Sequence, residues 1–397
     1  MTLSYSTATL DDVEELCEVD ARNFGAGPFT AEEIEQIKRS FDLSRFVIVR
    51  DPALTGQPIV AAAGNFGLEL TLPGPTTVPM AGVTWVSVSS THRRKGIATK
   101  MMAWLHDDAR KHREPVIGLT ASEGGIYERF GYGICTRLRT FSIDRRRVQM
   151  AERFQADTSS IRLVDHTRHY PEICALFDRY RQRRVGEVEL PEWLAQENFR
   201  HSGADRIVCA LHPEGFGIWV ISQDWADGDP RHGIRVWMLC ALTDEAHRAL
   251  WTLLLSTDLA GEVSGRVGSG PDDPLPFFLT NPRALRTTGL TDHLWIKVLD
   301  PKGAFAARSY RTDDAFVVEV PDGEKLKITA EGVSSARRRK RADLTLEESA
   351  LGPLLTGGAS ASVLAAGHRL RPSSPRVLQR ADAFFGVSPE PYCSVGF

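Results

Sequence analysis

The pattern of hydrophobic and polar residues divides the first part of the chain into alternating strands and helices. Apolar runs bounded by proline or glycine predict strands at residues 3–6, 46–51, 58–70, 80–90 and 116–122. Apolar residues at helical spacing predict one helix after Thr9 and a second after Gly96, and a shorter helix is predicted to stop at Gly131. This mixture predicts an α/β fold in which helices flank a mixed sheet.

The opening pattern recurs further along the chain. Residues 161–181 repeat the order found in residues 4–24: a strand, a polar turn and an amphipathic helix with a cysteine in its middle. Residues 235–256 repeat the strand, turn and helix around Gly96, but their turn has neither glycine nor arginine. We therefore predict a second copy of the same fold, without a phosphate-binding turn.

The last third of the chain has a different character. From about Leu299, residues 304–310, 315–323 and 325–332 have strand-like patterns, and two helical segments follow. A small mixed α/β domain ending at Phe397 is predicted. The predicted domains are residues 1–150, 151–298 and 299–397.

Composition narrows the classes of protein that fit. Hydrophobic residues make up 42% of the chain, charged residues 25%, and the formal net charge is −3, which is typical of a soluble globular protein without a general attraction to nucleic acid. The basic run 337–341 lacks interleaved aromatic residues, so we interpret it as an exposed surface and predict no nucleic-acid partner. No apolar run reaches 18 residues, which predicts no membrane span.

The cysteines and histidines carry no metal or disulfide signature. Six cysteines are scattered without a C-x-x-C pair, and the eleven histidines show no H-E-x-x-H spacing. We expect reduced thiols in the cytoplasm, no leader peptide and no metal. The mid-helix Cys17 and Cys174 are interpreted as apolar filling rather than nucleophiles.

The strongest chemical signal is the turn Arg93-Arg94-Lys95-Gly96-Ile97-Ala98, between a strand and a helix. Free N–H groups and a partial positive charge make a helix N-terminus a phosphate site. Gly96 allows the backbone to approach a pyrophosphate closely, and the basic side chains add positive charge. The alternative for this hexapeptide alone is a basic helix start on a solvated surface.

With its flanking elements, this turn resembles the R-x-x-G-x-A turn of the GCN5-related N-acetyltransferases (GNAT), which bind acetyl-CoA. Together with residues 120–133, TASEGGIYERFGYG, it resembles the enhanced intracellular survival (Eis) family. The resemblance implies tandem GNAT folds, the second without cofactor, and a C-terminal sterol-carrier-protein-like α/β domain. It also implies acetylation of amines, notably aminoglycosides at several positions, and a homo-oligomer, a hexamer.

The resemblance assigns roles to individual residues. The implied acetyl-CoA contacts are Val86, Ser87, Val88, Arg93, Arg94, Lys95, Gly96, Ile97, Ala98, Thr99, Ser122 and Glu123. The implied general acid is Tyr127, which would protonate the departing thiolate, although its role could be exchanged with that of Tyr132. The implied general base is the α-carboxylate of Phe397. A free carboxylate is a weak base for an ammonium, so burial or a relaying water would assist it.

Each assignment has a structural alternative. Tyr127 could fill a helix–sheet seam, and the tail could be docked without a chemical role. The loop 23–29 and the penultimate Gly396 lack the acidic residues of some relatives, so acetyl transfer is better supported than an aminoglycoside acceptor. Rival acceptors are polyamines, lysine side chains and cationic peptides. A rival class is a non-catalytic lipid-binding or ligand-binding protein.

Overall fold

The computed structural model describes residues 3–74, 76–200, 205–265 and 272–397. Its strands are β1 (Ser4–Thr7), β2 (Phe46–Arg50), β3 (Ile59–Leu72), β4 (Thr76–Val88), β5 (Val116–Thr120), β6 (Gly133–Ile134), β7 (Arg137–Asp144), β8 (Arg162–Val164), β9 (Arg206–His212), β10 (Gly215–Ser222), β11 (Trp225–Ala226), β12 (Asp229–Pro230), β13 (His232–Ala241), β14 (Ala260–Gly265), β15 (Leu285–Asp292), β16 (Leu294–Val298), β17 (Ala315–Glu319), β18 (Lys325–Thr329), β19 (Gly332–Ser335), β20 (Leu344–Leu346) and β21 (Leu370–Pro372).

In the part of the chain that the structure describes, ten α-helices lie between these strands in sequence, and an eleventh follows the last strand. They are α1 (Val13–Phe24), α2 (Ala31–Ser40), α3 (Ile97–Lys111), α4 (Tyr170–Arg181), α5 (Glu192–Asn198), α6 (Asp244–Leu255), α7 (Leu275–Phe278), α8 (Pro301–Ala307), α9 (Glu348–Thr356), α10 (Ala361–Ala366) and α11 (Pro375–Phe385). No helix within the described ranges is both long and apolar enough to cross a bilayer.

The first sheet has the strand order β1-β2-β3-β4-β5-β16-β6 and is covered on both faces. Phe46 and Ile48 of β2 belong to the core cluster that contains the buried residues of α1, whereas Val47 and Val49 belong to the cluster that contains those of α3. Because successive side chains of a strand point to opposite faces, a strand buried on both sides has an uninterrupted apolar sequence. This explains why the sequence predicted these strands well.

The second sheet repeats the first. Its order is β15-β7-β14-β13-β10-β9-β8, with β13 and β14 parallel as β4 and β5 are in the first sheet. Helix α6 contributes Leu250, Trp251 and Leu254 to its core. The repeat predicted from residues 161–181 and 235–256 thus corresponds to a second layer of the same construction, and the tandem-fold prediction is confirmed.

The two sheets exchange a strand, which the sequence did not predict. Strand β7 falls within the range predicted for the first domain, yet it pairs with β14 in the second sheet. Strand β16 falls within the range predicted for the second domain, yet it pairs with β5 in the first sheet. The proposed boundaries at residues 150 and 298 therefore do not separate the hydrogen-bonded sheets.

The C-terminal part forms a five-stranded sheet, β19-β18-β17-β20-β21, packed with α8 to α11. The strand predicted at 304–310 was wrong, because residues 301–307 form α8. Asp300 caps this helix by accepting a hydrogen bond from the Gly303 N–H, and Pro301 occupies its first turn. The interior is filled by packed rings, among them Tyr310 and Phe384, whose centroids lie 4.3 Å apart.

Candidate active site

A bulge in β4 shapes the first sheet where β4 and β5 separate. Thr84 pairs with Gly64 and Ser87 pairs with Ala62, so Trp85 and Val86 together face a single residue of β3. Trp85 adopts a left-handed backbone with φ of 52°, which costs a non-glycine residue energy and is common at functional sites. Pairing of β4 with β5 ends at Gly82 and Gly118, and beyond them the strands diverge.

The basic turn links this bulged strand to α3. Arg94 and Gly96 both have left-handed backbones, with φ of 62° and 75°, and Gly96 is the N-cap residue of α3. A Cβ at Gly96 would meet no atom within 4 Å, so the approach to the helix N-terminus is open. His92 anchors the turn, because its Nε2 lies 3.0 Å from a carboxylate oxygen of Asp51. The result is an N-terminus whose free amides are accessible to an anion.

These elements surround a cavity of about 740 Å³, the first cavity. Of the cofactor-binding residues predicted from the sequence, those that line it are Val86, Ser87, Val88, Arg93, Arg94, Gly96, Ile97, Ala98, Thr99, Ser122 and Glu123. Tyr127 lines it as well. Lys95 is exposed and is not among the lining residues, and neither is Phe397.

Two buried polar atoms make the first cavity suitable for an amide-rich ligand. Ser87 Oγ and Asn23 Nδ2 are inaccessible to solvent and have no hydrogen-bond partner among the described residues. Both residues line the first cavity. Buried polar groups normally find partners, so a ligand with amides and a carbonyl, such as the pantetheine arm of coenzyme A, fits here. The pyrophosphate of coenzyme A fits the turn at Gly96.

Five lining residues were missed by the sequence analysis. They are Asn23, Phe24, His92, Ile126 and Arg129. Arg129 follows the GGIY segment and adds a cation at the cavity. Asn23 and Phe24 end α1, and nothing in the local pattern indicates that the end of α1 reaches the loop after β4. Among the described residues, no group of three or more His, Cys, Asp or Glu could hold a metal ion.

The two tyrosines of the GGIYERFGY segment have different surroundings. Tyr132 is wholly buried, and its hydroxyl lies 3.1 Å from His106 Nε2. Tyr127 is 7% exposed and lies at the first cavity. Burial, and then the negative charge of Glu123, raises the pKa of the Tyr127 hydroxyl. Tyr127 therefore keeps its proton at neutral pH and can donate it to a ligand in the first cavity. The Tyr132 hydroxyl, in contrast, is hydrogen-bonded with His106 in the core.

The last six residues run along a buried path to the point where β4 and β5 separate. The ring of Phe397 lies over Gly82, where a Cβ would come within 3.0 Å of it. Thr120, at the end of β5, donates a hydrogen bond from Oγ1 to Phe397 O at 3.2 Å. His293 Nε2 lies 3.3 Å from the Val395 carbonyl oxygen. Phe397 is thereby held where β4 and β5 separate, and Thr120 is two residues before Ser122, which lines the first cavity.

A second cavity, of about 720 Å³, adjoins the tail. Its lining includes Ser394, Gly396, Phe199, Arg200 and Trp237. Trp237 occupies a bulge of β13 that corresponds to the bulge of β4, because Ile218 pairs with Met238 and Trp219 pairs with Val236. The second cavity is therefore built on the same strand irregularity as the first cavity.

The second sheet lacks the phosphate-binding turn of the first. Helix α6 is capped by Thr243, whose side chain accepts a hydrogen bond from the Ala246 N–H. Asp244 and Glu245 occupy its first turn. Carboxylates at this position already balance the helix dipole and would repel a phosphate.

Acidic side chains gather around Arg200 beside the second cavity. Arg200 Nη1 lies 3.2 Å from Glu33 and 3.7 Å from Glu197. Burial raises the pKa of Asp20 to about 7, the charge of Arg200 opposes this and Glu197 adds to it. Asp20 Oδ1 is buried without a hydrogen-bond partner in the described part of the chain. One cation thus faces three acidic side chains, and burial raises the pKa of two of them, Asp20 and Glu197, so a cationic ligand placed beside them would favour their charged forms.

Comparison with protein families agrees with this geometry. Residues 4–135 and residues 187–298 each match an acetyltransferase (GNAT) domain, and residues 301–394 match a sterol carrier protein domain. The fold and its first cavity thus define an N-acetyltransferase of the GNAT class, with acetyl-CoA as cosubstrate.

Individual relatives make the assignment narrower. N-acetyltransferase Eis of Mycobacterium tuberculosis (strain ATCC 25177 / H37Ra) is 37% identical over 356 residues, covering 85% of this chain and 86% of the relative. An uncharacterized N-acetyltransferase of Streptomyces avermitilis is 30% identical and aligns over the whole of both chains. The crystal structure of Eis1 from Mycobacterium abscessus superposes with a TM-score of 0.86 at 28% identity, over all of both chains. The chain belongs to the Eis family of N-acetyltransferases.

Proposed function

We propose that this enzyme acetylates amino groups of a polycationic small molecule, with aminoglycosides as the leading acceptors, and that the carboxylate of Phe397 is the general base. The observation that carries the proposal is the location of the tail. Phe397 accepts a hydrogen bond from Thr120, two residues before Ser122 of the first cavity, while the neighbouring Gly396 lines the second cavity. A base in this position lies next to the second cavity, where it can reach the ammonium of an acceptor.

In the proposed mechanism the residues act in order within one ternary complex. The Phe397 carboxylate accepts a proton from the acceptor ammonium, directly or through a water, and frees the nitrogen lone pair to attack the thioester carbonyl. Backbone amides at the β4 bulge, near Val86, donate to the carbonyl oxygen as negative charge develops. Tyr127 gives its phenolic proton to the sulfur as the C–S bond breaks. The second proton lost by the acetylated nitrogen passes to solvent, which reprotonates Tyr127, and the Phe397 carboxyl group returns its proton to solvent. Acetyl-CoA supplies the acetyl group as an activated thioester.

The acidic residues around Arg200 support a cationic acceptor, whereas the charged side chains among the described residues that line the second cavity itself, Arg200 and Arg235, are both basic. Asp20, Glu33 and Glu197 surround one arginine, and a bound ammonium would favour the charged forms of Asp20 and Glu197, whose pKa values burial raises. These acids lie on α1, α2 and α5, beside the loop 23–29, because the Arg200 guanidinium lies over the Phe29 ring at 5.1 Å from its centroid. They therefore offer a source of negative charge that the loop sequence lacks.

Release of the coenzyme A thiol tests the proposal. We expect release with aminoglycosides, and a smaller response with spermidine and with a lysine-containing peptide at equal concentration. Mass spectrometry of the product would count the acetyl groups added. Release of the thiol with spermidine or the peptide, but with no aminoglycoside, would show that aminoglycosides are not the acceptors.

The terminal base needs a separate variant. A protein extended by three alanines beyond Phe397 moves the carboxylate away, and we expect kcat to fall about 100-fold or more. Phe397→Leu is the matched control, because it keeps the carboxylate at its place in the chain. Full activity of the extended protein would remove Phe397 from the mechanism.

We also propose that the protein is cytoplasmic and that it forms a hexamer. Six unpaired cysteines support a cytoplasmic location, and a hexamer remains a proposal that rests on family resemblance. Light scattering on the purified protein would measure the number of subunits.

A further inference from the structure

Asn198, the last residue of α5, makes two hydrogen bonds to one residue of the tail. Its Nδ2 donates to the Gly396 carbonyl oxygen at 2.8 Å, and its Oδ1 accepts from the Gly396 N–H at 3.1 Å. The same Nδ2 donates to the Leu194 carbonyl oxygen at 3.0 Å, which fixes the amide against its own helix. This paired contact sets both the position and the orientation of the residue that precedes Phe397.

A second anchor holds the tail two residues earlier. The Ser394 N–H and hydroxyl each donate to the Glu187 carboxylate at 2.9 Å. Glu187 is wholly buried, and its own carbonyl oxygen accepts a hydrogen bond from the Thr71 N–H of β3 at 2.9 Å. The tail is therefore fixed to the first sheet before it reaches Asn198.

We propose that Asn198 is a positioning residue for acetyl transfer, whose amide holds the Gly396 peptide so that the Phe397 carboxylate stays between the first and second cavities. This inference rests on the proposed role of Phe397 as base. Chain ends are the most mobile part of most proteins, and displacement of a catalytic group by about 1 Å can cost about 100-fold in rate. An anchor next to the base opposes that loss.

The first test is Asn198→Ala, with Gln196→Ala as its matched control. Gln196 is on the same helix and bonds to Gln36 and Glu192 instead of the tail. We expect Asn198→Ala to lower kcat about 10- to 100-fold, while KM for acetyl-CoA stays within about twofold because the first cavity is unchanged. Gln196→Ala should behave like the wild type.

Asn198→Asp gives a readout that a merely structural role would not change. Aspartate can still accept from the Gly396 N–H, but it cannot donate to the Gly396 and Leu194 carbonyl oxygens, and it adds a negative charge near the terminal carboxylate. That charge raises the pKa of a neighbouring carboxyl group, so the acid limb of the kcat–pH profile should move upward by about one pH unit. An unshifted acid limb together with wild-type kcat in both Asn198 variants would overturn the proposal.

Carboxypeptidase Y reports the position of the tail directly. We expect the folded wild type to retain Phe397 and Asn198→Ala to lose it at least about tenfold faster, since a residue must leave its site to be cleaved. Equal release rates would count against the anchor. The two proposals can fail separately: full activity of the alanine-extended protein rejects Phe397 as base, whereas an inactive extended protein beside a normal Asn198→Ala rejects only the role of Asn198.

Discussion

The hydroxyl of Tyr132 lies 3.1 Å from Nε2 of His106, behind the wall of the first cavity, where neither group reaches a ligand. Burial, followed by the nearby charges of Lys297 and Arg110, lowers the pKa of His106 to about 3, so the imidazole is neutral. The pair is a core hydrogen bond. This hydrogen bond distinguishes Tyr132 from Tyr127 as candidate general acids, a choice that the sequence alone left open.

The first prediction therefore compares Tyr127→Phe with Tyr132→Phe. Loss of a general acid typically costs 100- to 10,000-fold, so we expect kcat to fall at least about 100-fold in Tyr127→Phe, with little change in melting temperature. Tyr132→Phe should keep kcat but lose about 1 kcal/mol of stability, because a buried hydrogen bond is removed. Steady-state kinetics and thermal melts distinguish the two. A reversed pattern would reassign the acid to Tyr132.

The second prediction concerns Gly96, with Gly228 as its control. Both glycines have positive φ, 75° and 85°, and both have open space where a Cβ would be placed. Alanine at either costs about 1–2 kcal/mol of backbone strain. At Gly96 this strain is relieved if the turn changes its conformation, and the changed turn no longer fits a phosphate. The Kd of coenzyme A should therefore rise about tenfold. Gly228→Ala strains a distant hairpin, and calorimetry should show an unchanged Kd.

The third prediction uses the buried Glu187. Burial raises the pKa of its carboxyl from 4.5 to about 7, against the opposing effects of Ser394 and Arg184. The folded state therefore binds a proton more tightly than the unfolded state, and this stabilisation is present below pH 4.5 and lost as pH rises to 7. Relative to Glu187→Gln, which does not titrate, the wild type should lose about 3 kcal/mol over that range. Urea unfolding of both proteins at several pH values measures this difference in the free energy of unfolding. A difference that does not change with pH would contradict the raised pKa of Glu187.

The fourth prediction concerns the thiols. Burial raises the pKa of every cysteine, for example to about 12 in Cys17 and Cys135 and to about 11 in Cys174. Because the thiolate is the reactive form, Ellman's reagent should modify almost none of the six in the native protein and all six in denaturant. Fast labelling of one native thiol accompanied by loss of activity would reopen a cysteine as acetyl carrier.

The sequence predicted those features of the site that lie within one continuous segment of the chain, and it missed those that depend on contacts between distant segments. The strand, the turn ending at Gly96 and the helix after it are encoded within the continuous segment 76–111, and the structure brings most of the predicted contacts to one cavity. Asn23 was missed because its unpaired amide becomes visible only when α1 lies against the loop after β4. The role of Asn198 was equally invisible, since it depends on a contact with Gly396.

The pairing of strands was beyond the sequence for the same reason. A strand's hydrophobic pattern shows that it is buried but does not name its neighbour. Residues 294–298 have the pattern of a buried strand. Nothing in that pattern shows that the strand pairs with β5 rather than with β14. The helix at 301–307 was misjudged because the capping by Asp300 outweighs the strand-like composition of the residues that follow.

The reciprocal insertion of β7 and β16 has a consequence for how the chain is made. The edge of β5 that receives β16 stays unpaired until the ribosome has synthesised residues as far as Val298. Nascent chains acquire structure from the N-terminus as they emerge, but here the cofactor-binding half must wait for a segment encoded much later. A gene fragment that stops before β16 leaves this edge of β5 unpaired, and it should yield an aggregating product rather than a smaller enzyme.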